Sequence, residues 1–151
     1  MASSNDDAIQ AARQLLRDSR VGTLATSIAG QPFASLVTPA CAEDWSILLL
    51  LSDLSEHTRH LRADPRCSIL VAGTAENENP QTAPRVTVTG LAEVDSRPES
   101  KERFLATHPY ASLYAGFGDF AIWRIVPGGA LYVGGFARAI RLKGSELTRA
   151  D

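Results

Sequence analysis

The pattern that most limits how this chain can fold is a succession of short strand-type segments, roughly eight of them, parted by turn residues and a few short helices. Val21 to Thr26 is rich in β-formers, Ala29-Gly30-Gln31-Pro32 supplies a turn, and Phe33 to Thr38 follows, so the first two strands read as a hairpin. Trp45 to Leu51, apolar but for Ser46, is a run of strand length, which predicts a strand covered on both faces, and Cys67 to Ala72, apolar but for Ser68, reads the same way. Arg85 to Val94 alternates as one long strand, with Gly90 marking a bend or bulge at its middle. Phe120 to Leu142 reads as three short strands separated by Pro127-Gly128-Gly129 and by Gly134-Gly135. Segments of this kind, joined mainly by hairpins, predict a mainly β fold, an antiparallel, closed or partly open (split) β-barrel with short flanking helices, rather than a parallel α/β sheet.

The helices are peripheral in this reading. Ala8, Ile9, Ala12, Leu15 and Leu16 recur at helical spacing, with Asn5 or Asp6 as cap, and that helix ends near Ser19. Ser55 to Ala63 reads as a short polar helix capped by Ser55 and stopped by Asp64-Pro65. Pro98 to Thr107 is a third, with Phe104 and Leu105 as its apolar contacts and His108-Pro109 at its end. With no repeats, low-complexity stretch or linker, residues 1–151 are expected to form one domain, 1–19 its opening helix and 143–151 a tail.

A chain of 151 residues can bury a sizeable core without staples. Its net charge of -2 gives no general attraction to nucleic acid or an anionic membrane, so neither is expected as a partner, and an anionic ligand needs a local basic cluster. The apolar run Ile47 to Leu51 is too short to span a bilayer, and the opening residues lack the basic and apolar regions of a secretory signal. A soluble, cytoplasmic protein is the expectation, with Cys41 and Cys67 reduced and buried.

Chemistry concentrates in Ser52-Asp53-Leu54-Ser55-Glu56-His57-Thr58-Arg59-His60-Leu61. A helix N-terminus with hydroxyls and a basic residue gathers unpaired N–H groups, a positive dipole end and side-chain donors, which is what a phosphate requires. The competing reading is a capped surface helix with a solvated polar face. His57 and His60 stand three apart and could share a face, but a metal would need a third ligand and none is nearby, so no metal site is expected. Arg85, Arg124, Arg138 and Arg141 fall at strand positions, where arginine is either ion-paired or aimed at a ligand anion. Arg85 and Arg138 are taken as ligand-directed, Arg124 equally as a partner for an acidic residue. Gly116-Phe117-Gly118-Asp119-Phe120 and Gly134-Gly135-Phe136 join flexible backbone to aromatic rings, suited to a flat ligand and equally to plain turns. There is no P-loop, dinucleotide fingerprint or nucleophile elbow.

In their order these motifs resemble the pyridoxamine 5'-phosphate oxidase-related FMN-binding split barrels, most closely the haem-utilisation (HugZ-like) branch. The resemblance is carried by Pro32 to Pro39, Leu51 to Leu61 with Asp64-Pro65-Arg66, Pro84 to Gly90, Gly116 to Phe120, and Gly134 to Ala139. It implies a homodimer with FMN at the subunit interface and a flavin-dependent oxidoreductase activity on a small molecule, with no catalytic side chain assigned. It implicates Ser35, Leu36, Val37, Thr38, Ser52, Thr58 and Arg59 in cofactor binding, Arg85 from the partner subunit, and Tyr132 and Arg138 near the flavin. Two departures stand out: the histidine that the oxidases carry two residues after the final-strand arginine is Ile140 here, and Glu56 lies where a basic phosphate ligand is usual. The alternatives are a haem-binding or haem-degrading protein, whose axial ligand would have to be His57, His60 or His108, and a non-catalytic cofactor-binding module.

Overall fold

Alternation of apolar and polar residues along most of the strands decides which side of the sheet turns inward, and a computed structural model describing residues 4–135 and 138–150 shows the result. In chain order the elements are α1 (Ser4–Asp18), β1 (Gly22–Ile28), β2 (Gln31–Val37), β3 (Ala40–Cys41), β4 (Ile47–Ser52), α2 (Glu56–Ala63), β5 (Arg66–Ala72), β6 (Arg85–Val94), α3 (Pro98–Thr107), β7 (Phe120–Val133), β8 (Ala139–Lys143) and α4 (Gly144–Thr148). The strands form one antiparallel sheet in the order β2-β1-β5-β6-β7-β4-β3, with β8 on β7 beyond β4. β7 is the hinge of the architecture. Residues 120–125 pair with β4, residues 129–133 pair with β8, and β6 pairs along its other edge over residues 123–133, which is the split of a split barrel.

The barrel interior is filled by Leu24, Ile47, Leu49, Ile69, Val86, Val88, Ile125 and Leu142, and α1 adds Ile9, Ala12 and Leu16. On the outside of β4 a second cluster, Ala40, Leu48, Phe104, Ala111 and Ile122, seats α3. β4 is therefore buried on both faces, as its unbroken apolar run predicts. The sister expectation for Cys67–Ala72 is corrected: Cys67, Ile69 and Val71 are buried, but Leu70 and Ala72 are exposed, because among the described residues no helix covers that side of β5. The expected three strands of the last third are two. Pro127-Gly128-Gly129 lies inside β7, where Thr89 pairs with Gly129 and Gly90 with Pro127, so Gly128 is the extra residue of a bulge. A bulge tolerates Pro127, which has no N–H to give a ladder.

The tail is not featureless: α4 folds back on α1, and the buried Arg13 ties the two through Nε to the Leu147 carbonyl at 3.0 Å and Nη2 to the Arg149 carbonyl. Cys41 and Cys67 are free and buried, and burial pushes their thiols up to about 12 and about 11. Among the described residues no helix is long and apolar enough to cross a membrane.

Candidate cofactor cleft

The end of β2, the end of β4, the first turn of α2 and the start of β7 converge on a cavity of about 190 Å³. Leu36, Val37 and Thr38 form one wall, Leu49, Leu51 and Ser52 another, and Ser55, His57 and Phe120 close it. Four of the expected residues, Leu36, Val37, Thr38 and Ser52, thus meet in one place. Ser35 and Thr58 lie on the bordering strand and helix, each with a buried hydroxyl that has no partner among the described residues. Arg59 is on the exposed side of α2.

The remaining three expected residues are elsewhere in this chain. Arg85 donates from Nη1 to the carbonyls of Gln81 and Ala83 at 2.6 and 3.1 Å, closing the loop before β6. Tyr132 packs against the barrel core, in register with Val86 and Ile140. Arg138 is exposed, its carbonyl accepting from the Gly134 N–H at 2.9 Å; Phe136 of the same motif lies outside the described residues. Arg124 is an ion-pair residue, 2.6 Å from Glu93 and 3.6 Å from Asp44.

The three histidines have separate fates. His60 is buried, its Nδ1 2.9 Å from the Thr26 hydroxyl and its ring edge-on to Phe33. His108 is buried with both nitrogens engaged: Nε2 donates to the Pro39 carbonyl at 2.8 Å and Nδ1 accepts from the Tyr110 hydroxyl at 3.2 Å. His57 alone lines the cavity, and its ring has no hydrogen-bond partner among the described residues. Burial first, and the neighbouring His60 second, lower its pKa below the ordinary 6.5.

Ser52 sits beside Asp119, a residue not among those expected at the site. Its hydroxyl donates to Asp119 Oδ2 at 2.7 Å and accepts from the Leu54 N–H at 3.1 Å, while the Asp53 N–H donates to the Asp119 carbonyl at 2.7 Å. Ser55 occupies the N-cap position of α2, but its side chain makes no capping bond, and the first turn carries Glu56. At this point a flavin phosphate would meet the engaged Ser52 hydroxyl, the Asp119 carboxylate and Glu56, and the donors left for it are the unpartnered hydroxyls of Ser35 and Thr58 beside the cavity. A larger cavity of about 620 Å³, bounded by Trp45, Arg97, Arg103 and Arg149, lies beyond the other end of β4 and contains none of the expected residues.

A split antiparallel barrel with a cleft at the end of β2 and the first turn of α2 defines a class of small cofactor-binding proteins. Residues 8–134 match the family described as pyridoxamine 5'-phosphate oxidase, and the chain belongs to it. It is 36% identical over 137 residues to a non-canonical haem oxygenase, HOZ, of the Arabidopsis thaliana chloroplast, a match covering 87% of this chain and 41% of that protein. A haem-binding protein from Mycobacterium smegmatis is 29% identical, with a TM-score of 0.88, over 100% of this chain and 62% of that one. A second solved chain is 30% identical, with a TM-score of 0.87, over 98% of this chain and 99% of that one. The chain spans about two-fifths of the length of the Arabidopsis protein.

Proposed function

We propose that this chain is a haem-binding protein of the haem-utilisation type, acting as a homodimer with haem in the cleft between two copies and His57 as axial ligand. The observation that carries the reading is His57: it is the one histidine that faces the cavity with an uncommitted ring, and its lowered pKa keeps that ring neutral, as an iron ligand must be. The names of the Arabidopsis and Mycobacterium relatives support it.

The remaining side chains suit a flat apolar ligand with an anionic edge. Leu36, Leu49 and Phe120 would keep water from its face, and Arg59, exposed on α2, supplies a cation for a carboxylate. Leu36 is 75% exposed although it lines the cavity, so one chain builds an incomplete wall and a second copy would finish it. When bound, haem supplies the iron at which oxygen chemistry can occur; the chain positions it and excludes solvent.

The test is titration of the purified protein with haemin and, separately, with FMN, followed by absorbance. A saturable Soret band with wild type, displaced in position or lost in His57→Ala, is expected. Saturable FMN binding without haem binding would overturn the reading in favour of a flavin-dependent oxidoreductase. Haem turnover, the activity in the name of the Arabidopsis relative, is then assayed on the loaded protein with a reductant and dioxygen.

A further inference from the structure

We infer that Asp119 is a specificity-determining residue of the cleft: its carboxylate engages the Ser52 hydroxyl on the approach to α2 and thereby excludes ligands that would place a phosphate beside Ser52. The inference stands apart from the haem reading and concerns only which ligand groups this end of the cavity admits.

The amides that open a helix and a neighbouring hydroxyl together draw an anion, and here the hydroxyl, Ser52, is already taken by a carboxylate of the chain. The Asp119 carboxylate accepts from the Ser52 hydroxyl at 2.7 Å, and Ser52 in turn accepts from the Leu54 N–H at 3.1 Å, so carboxylate, hydroxyl and loop amide form one chain of donors and acceptors. The Asp119 backbone is tied to the same loop, its carbonyl accepting from the Asp53 N–H at 2.7 Å. The carboxylate charge is not cancelled. Asp53 has Arg62 at 2.6 Å, whereas Asp119 has no cationic partner among the described residues. Glu56 in the first turn adds a second negative charge. A phosphate arriving beside Ser52 would meet a half-buried carboxylate within hydrogen-bond reach of the same hydroxyl, and two like charges sharing a site disfavour each other strongly. Ligands that bring an uncharged or apolar edge to this end escape the penalty.

The probe is inorganic phosphate, and the readout is movement of the Leu54, Ser55, Glu56 and His57 amide signals in heteronuclear NMR. Three full-length proteins are compared: wild type, Glu56→Gln, and the double variant Glu56→Gln/Asp119→Asn. Asparagine keeps the shape of Asp119 and an oxygen to accept from Ser52; Asp119→Ser in the same background is the second variant should the first fail to give a folded spectrum. Saturable shifts in the double variant, at least about tenfold tighter than any trace of binding in Glu56→Gln, are expected. Comparable binding by wild type or Glu56→Gln, or silence of the folded double variant, would overturn the inference.

Discussion

His57 shows how far a single side chain's environment can be read as a functional statement. In the unfolded chain its imidazole titrates near 6.5, and in the fold burial and His60 hold it lower. The unfolded state therefore binds the proton first as pH falls, so the group contributes to stability above pH 6.5 and that contribution is lost progressively below it. Ring-proton NMR of the ligand-free protein should give a His57 midpoint below 6.5, and a midpoint at or above that value would remove the argument for a neutral ligand ready at the cleft. At this scale the sequence was partly legible. The run from Ser52 to His60 stands out by its hydroxyls and histidines at a helix start, and Ser52, Ser55 and His57 of it line the cavity. Which histidine faces the cavity depends on Thr26 and Pro39, residues 34 and 69 positions away from their partners, and no local pattern records that. Asp119 was visible only as part of Gly116 to Phe120. Its role comes from a contact 67 residues back, at Ser52.

Among the elements, β7 carries the architecture, and the bulge opposite Gly90 lets one strand serve two partners. A Cβ at Gly90 would come within 2.2 Å of the Val126 carbonyl oxygen and 3.0 Å of an Ile125 side-chain carbon, so the close approach of β6 to β7 needs glycine there. Gly90→Ala should cost about 1–3 kcal/mol in urea unfolding, as overpacking against backbone does. An unchanged midpoint would mean that the strands separate freely at the bulge. The flat apolar run of β4 and the glycine of β6 were readable because each is a local consequence of burial or close approach. The strand count at Pro127-Gly128-Gly129 was misread, since turn residues and bulge residues are the same and only pairing distinguishes them. β5 was misread for a related reason: a mainly apolar run implies two covered faces, but here one face of a single chain is open.

At the scale of the whole molecule that open face is the argument for a second copy. Leu36, Thr23, Leu70, Thr87 and Leu131 stand in register across β2, β1, β5, β6 and β7, and Leu36 and Leu70 are 75% and 40% exposed. A row of apolar and small polar side chains on an uncovered sheet is what an isologous contact uses, and large exposed apolar patches are uncommon on monomers. Leu36 joins this face to the cleft, because it lines the cavity and belongs to the row. Leu70 does not line the cavity, which makes it the better probe. Leu70→Glu should leave the far-UV circular dichroism unchanged, since a surface substitution typically moves stability by no more than about 0.5 kcal/mol. In light scattering behind a sizing column the same variant should run as a monomer where wild type runs as a dimer. If the cleft is completed across the pair, haem affinity should fall with it, although the substituted residue touches no ligand. A wild-type monomer, or a Leu70→Glu dimer with full haem affinity, would show instead that each barrel builds its site alone and that the exposed row serves another contact.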